Sequence, residues 1–241
     1  MELIFAILDL IQNFSSGELF TISAIALTSL LAGMYTHRSL RALDGEDLKI
    51  KHTGKSVAED MLWEYGLGNI DIKPIKGQLT DNYNPKERTI NLSKTTYNRK
   101  TALAVAIAAH EAGHVVQHEK GNVWWSVRTA LAPIVKWIGR LQMLAAGAFI
   151  LLHGLTNSPI FLWAMLIWYL IPVVFTIILL PFEFDASAKA LRWIKEFDIL
   201  KGKDYKTAEK ALNLAATTYV WQAISTGTVF FRWLIILRKR R

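Results

Sequence analysis

Four stretches of this chain are apolar over lengths that suit a bilayer, and between the first two lies a polar segment with a different rhythm. The clearest run covers residues 159–182, carries no charge and includes Ile160-Phe161-Leu162-Trp163 and Ile177-Ile178-Leu179-Leu180. As a helix it is long enough to cross a membrane, with Pro172 as a kink and not a break. Residues 19–35 form a shorter uncharged run. Residues 141–155 continue a helix begun near Pro133, with Lys136 and Arg140 snorkelling where it meets the interface. The stretch 212–237 is also long enough but contains Gln222 and Arg232, so spanning, interfacial and packed placements stay open for it. The pattern predicts three to four transmembrane helices.

The polar segment, residues 37–127, opens with a charged linker. Ser56-Val57-Ala58-Glu59 then reads as a capping box that starts a short amphipathic helix through Met61, Leu62 and Tyr65, stopped by Gly66 and Gly68. Ile70-Asp71-Ile72 and Thr89-Ile90-Asn91-Leu92 alternate in strand fashion. Turn chemistry separates them at Pro74, Gly77, Asp81-Asn82 and Asn84-Pro85. This small sheet either covers the helix that follows it or offers an edge strand to an extended peptide, and pattern alone weighs the two equally.

That following helix carries the chemistry. In Ala109-His110-Glu111-Ala112-Gly113-His114 the two imidazoles are four residues apart, so they share a helix face and can close on one ion with Glu111 beside it. Ala102, Leu103, Val105, Ala106, Ile107 and Ala108 precede the motif and Val115 and Val116 follow, which makes a largely buried helix. Histidines buried there without a partner would be costly. Zinc is the implied cofactor, with His110 and His114 as ligands and Glu111 as general base, the minimal kit for metal-assisted hydrolysis.

Composition narrows the partners. Apolar residues make up 52% of the 241, with nine tryptophans, which places the chain at a lipid bilayer. The net charge of +8 fits juxtamembrane Lys and Arg; without a nucleic-acid motif or dense basic helix, no nucleic-acid partner is expected. The first residues lack the basic region of a cleavable signal, and residues 1–14 read as an amphipathic lead-in that the mature protein keeps. With no cysteine, a zinc site must be built from His and carboxylate.

A catalytic zinc takes three protein ligands and one water. His118 lies on the same helix face, but one turn beyond His114 puts it about 6 Å farther along the axis, so it reads as a supporting or exposed residue. Pro181-Phe182-Glu183-Phe184-Asp185-Ala186-Ser187 is the better source. The second and third apolar runs form a hairpin through the short loop at Asn157, which returns these carboxylates to the face that carries His110 and His114. Either Glu183 or Asp185 can then complete the site.

At these residues the chain resembles the neutral zinc metallopeptidases of the YugP type, membrane proteins similar in site logic to the HtpX-type proteases. The resemblance rests on Asp81-Asn82-Tyr83-Asn84-Pro85, on Ala-Ala-His-Glu-Ala-Gly-His with Gln117-His118, and on Leu180 to Ser187. In HtpX-type enzymes the third ligand is a glutamate followed by alanine three residues on and aspartate four residues on. Glu183 with Ala186 fits that frame and Ser187 stands where the aspartate would be, so the resemblance implies Glu183 as ligand and keeps Asp185 as the alternative.

The fold expected is a mainly α integral membrane protein with a small α+β zincin-like domain. Residues 1–36 make the lead-in and first span, 37–127 the zincin-like domain, 128–182 a transmembrane hairpin, 183–211 the helical segment with the third ligand, and 212–241 a last helix with a basic tail. The activity implied is zinc-dependent endopeptidase, acting on a protein or peptide substrate. The other reading is a non-proteolytic zinc scaffold or transporter component, which would have no use for Glu111. Lys and Arg follow the first and third runs and precede the second, and the loop between the second and third has none. The positive-inside rule then puts the zinc side in the cytoplasm. Arg238-Lys239-Arg240-Arg241 conflicts with that rule if the last helix spans, and an interfacial or re-entrant helix removes the conflict.

Overall fold

Ala-rich and apolar helices account for most of the computed structural model, which describes residues 16–121, 123–156 and 158–239. The lead-in over 1–14, the loop residue Asn157 and the last two arginines of the tail lie outside the described residues. The chain runs α1 (Ser16–Ala42), α2 (Gly54–Glu64), β1 (Asp71–Ile75), β2 (Asn82–Asn84), β3 (Thr89–Ser93), α3 (Lys94–Tyr97), α4 (Ala102–Glu119), α5 (Val123–Thr156), α6 (Ile160–Glu196) and α7 (Gly202–Lys239). It divides into two units. One comprises Met34–Ser126 with Leu180–Thr218, the other Met1–Gly33 with Val127–Leu179 and Tyr219–Arg241.

In the first unit α2 begins three residues earlier than the sequence pattern indicates. Its cap is Thr53, whose hydroxyl accepts the Ser56 N–H at 3.2 Å, while the Ser56 hydroxyl accepts the Thr53 N–H at 2.8 Å. The capping box is therefore Thr53 with Ser56, not Ser56 with Glu59. Gly54 decides the matter: a Cβ there would lie 2.1 Å from the Thr96 carbonyl oxygen, so only glycine lets the first turn of α2 sit against α3. Gly66, at φ 71°, ends the helix as expected.

The two strands read from alternation form, and a third appears where only turn chemistry was expected. β1 pairs parallel with β3, Ile72 opposite Ile90 and Pro74 opposite Leu92. Residues Asn82–Asn84 form β2, antiparallel to β3 with Tyr83 opposite Ile90. Three residues are too few to show a period of two, yet Tyr83 is buried between two more accessible asparagines. The order β1-β3-β2 leaves Pro74 on an edge strand, where its missing N–H costs no ladder bond.

Ile90 and Leu92 of the central strand are fully buried, as are Val57, Ala58 and Met61 of α2 and Val105, Ala108, Ala109 and Ala112 of α4. Each large side chain withdrawn from water contributes about 1.5–3 kcal/mol. The alanines of α4 serve a second purpose, since they favour helix and let neighbouring elements approach closely. Thr101 caps α4 by accepting the Ala104 N–H at 3.1 Å.

The second unit is built from portions of α1, α5, α6 and α7. Leu162, Met165 and Leu166 form its buried cluster, with Phe149, Val229, Phe230 and Leu234 packed on it. Helix α6 continues unbroken through Pro172 and Pro181. Among the described residues it is the helix long and apolar enough to cross a membrane.

Candidate metal centre

Helix α4 presents His110 and His114 one turn apart, with ring centroids 4.6 Å from each other and planes near perpendicular. Glu183 arrives on α6, just past its apolar run, in the same unit as both histidines. Its Oε2 lies 3.3 Å from Nε2 of His110 and 3.5 Å from Nε2 of His114. Among the described residues, these three form the group whose donor atoms, one from each, all lie within 4.8 Å of one another. Zinc with bonds of about 2.05 Å to a tetrahedral set holds neighbouring donors about 3.3 Å apart, so the spacing from the carboxylate to each imidazole suits that ion. Two nitrogens and one oxygen are also donors that zinc accepts, and three protein ligands leave a fourth position.

Close approach of the two helices rests on Gly113. A Cβ built on it would lie 2.8 Å from the carbonyl oxygen of Ala186, itself fully buried. Alanine would improve the helix by about 1 kcal/mol, but overpacking against backbone costs typically about 1–3 kcal/mol. We expect Gly113→Ala to lower the thermal midpoint and weaken zinc binding together, because relief of the clash moves Glu183 away from the histidines. Thermal melts with and without zinc test this; an unchanged zinc-induced shift would contradict it.

The remaining carboxylate and imidazole take other places. Asp185 accepts a hydrogen bond from Gln117 Nε2 at 2.7 Å and pairs with Lys189; it is not among the clustered donors. His118 bonds through Nδ1 to the Tyr83 hydroxyl at 2.8 Å and lies 5.0 Å, ring to ring, from Trp125. Burial pushes the Tyr83 phenol above its usual range, and the charge of Glu119 adds to the effect.

Several residues at the centre were given no role at the metal from sequence. Ser187 stands where the HtpX-type frame has aspartate, and its hydroxyl lies 3.0 Å from His110 Nδ1. Gln117, buried three residues beyond His114, has its amide oxygen 2.9 Å from His114 Nδ1. Its signal was a polar side chain amid the apolar positions of α4. Phe182 stacks on His114 at 5.1 Å with planes 10° apart, and Trp125 lies 5.4 Å from Phe182. These rings wall His114 with apolar surface.

Glu111 is buried beside the cluster and outside it. Burial pushes its carboxyl above the ordinary range, while His114 and His110 draw it back in part.

Two imidazoles and a carboxylate on facing helices, with donor atoms within 4.8 Å of one another, make a group that could hold a metal ion. The chain belongs to the family described as "putative neutral zinc metallopeptidase", whose model matches residues 19–238. It is 30% identical over 190 residues to "Putative membrane protease YugP" of Bacillus subtilis (strain 168), covering 78% of this chain and 82% of that protein. The resemblance read from the motifs is thereby borne out, and with it zinc as the cofactor of the family. No solved structure matches the chain.

Proposed function

We propose that this protein is a membrane-integrated zinc endopeptidase in which His110, His114 and Glu183 hold the ion and Glu111 is the general base. The observation that carries the reading is the approach of Glu183 Oε2 to both Nε2 atoms at 3.3 and 3.5 Å, the spacing a tetrahedral ion requires. Zinc held there lowers the pKa of water and polarises a peptide carbonyl. Glu111 takes the proton of the attacking water and delivers it to the leaving amine, so that two shorter peptides result. Gln117 and Ser187 orient the imidazoles, and Phe182 and Trp125 keep water from one side of His114. A zinc scaffold would need no buried carboxylate set beside its donors and apart from them, so the position of Glu111 favours the hydrolase.

The membrane reading rests on the second unit. Leu30, Leu144, Leu155, Ile167 and Phe231 are all more than half exposed there, a surface that lipid would cover and water would not. The apolar part of α6 supplies one span, α1 and α5 supply two more, and α7 either adds a fourth or lies at the interface. Lys189, Arg192 and Lys195 follow Glu183 closely, which favours a cytoplasmic metal centre by the positive-inside rule.

Metal removal tests the function. In detergent, a chelator is expected to abolish cleavage of an unstructured protein such as casein, and about one molar equivalent of zinc to restore it. Cleavage that survives complete removal of metal would refute a zinc-dependent peptidase.

A further inference from the structure

Gln117 is fully buried, and every polar atom of its amide is committed. Its Nε2 donates to the Phe182 carbonyl oxygen at 2.9 Å and to Asp185 Oδ2 at 2.7 Å, both of them acceptors. The amide is therefore oriented without ambiguity, and the atom that faces His114 Nδ1 at 2.9 Å is the acceptor Oε1. His114 must carry its proton on Nδ1. In the neutral ring Nε2 is then the nitrogen without hydrogen, the form a metal ligand takes, and it lies 3.5 Å from a carboxylate oxygen of Glu183.

We propose that Gln117 is a positioning residue for the metal centre: it fixes His114 in the tautomer that binds zinc through Nε2 and ties that choice to Asp185, which anchors Gln117 and does not bind metal. The inference rests on His114 and Glu183 being ligands. It assigns a use to each member of the chain from Lys189 through Asp185 and Gln117 to His114. The same amide also bridges helices, since Phe182 and Asp185 flank Glu183 on α6 while His114 sits on α4. The third ligand and the second histidine are thus set by one side chain, where histidine ligands more often lean directly on a carboxylate or carbonyl.

The test uses full-length protein in detergent, with zinc affinity measured by competition against a chelator and geometry by the visible absorption of bound cobalt(II). Gln117→Leu is expected to lower zinc affinity by about 10–100-fold and to change the cobalt spectrum. Asp185→Ala should lower affinity less, and adding it to Gln117→Leu should lower it no further, because the anchor acts only through the amide. The variant Asp185→Asn keeps an oxygen that accepts from Gln117 Nε2 while removing the carboxylate charge. Its affinity should stay within about threefold of wild type, and it carries the test if the leucine variant does not fold. Wild-type affinity in Gln117→Leu, additive losses with Asp185→Ala, or a loss in Asp185→Asn as large as that in Asp185→Ala would each overturn the proposal. Absence of zinc binding by the wild type would instead refute the ligand assignment itself, and so is told apart from an error about Gln117.

Discussion

Glu183→Ala is expected to purify without zinc. The two histidines on α4 offer only one edge of a tetrahedron, and on the proposed assignment Glu183 closes the set from a second helix. Protein zinc sites bind with about 10–16 kcal/mol over four ligands, so one ligand is worth on the order of 3–4 kcal/mol, or roughly 10²–10³-fold in affinity. A loss of 100-fold also removes about 2.7 kcal/mol of the stabilisation that zinc gives the folded state, so the thermal shift produced by zinc should shrink markedly. Asp185→Ala is the control. Its carboxylate holds Gln117 and Lys189, and that variant should retain most of its zinc at saturating metal. The metal content of the two variants, measured side by side, separates the carboxylates; zinc retained in Glu183→Ala and lost in Asp185→Ala would reverse the assignment.

The sequence carried the helical half of this centre because its information is local. His110, Glu111 and His114 declare themselves through a spacing that any helix turns into a shared face. Glu183 needed the hairpin of apolar runs or the resemblance to bring it near, since no local pattern marks a carboxylate as a ligand. Gln117 and Asp185 are 68 residues apart, and Ser187 and His110 are 77 apart. Bonds of that kind depend on how two helices approach, which Gly113 permits through a contact with Ala186 that no periodicity encodes. The start of α2 shows the same limit. Ser56 with Glu59 is as good a local box as Thr53 with Ser56, and the choice is made by the fit of Gly54 against Thr96. Strand β2 was hidden by its length, and its position is set by pairing with β3.

Glu111→Gln is expected to lower the rate of peptide cleavage by about 10²–10⁴-fold, the range that a positioned general base supplies. Glutamine keeps the volume and leaves the buried helix packed, but it cannot accept a proton from water. Zinc should stay, because Glu111 lies beside the three clustered donors and not among them. A zinc scaffold would be indifferent to the change. The decisive measurement is therefore made on wild type and Glu111→Gln purified together in detergent, with bound zinc and casein cleavage determined on the same samples. The expected result is equal zinc in both proteins and cleavage by the wild type alone. Cleavage by Glu111→Gln at the wild-type rate, or none by a fully zinc-loaded wild type, would contradict it.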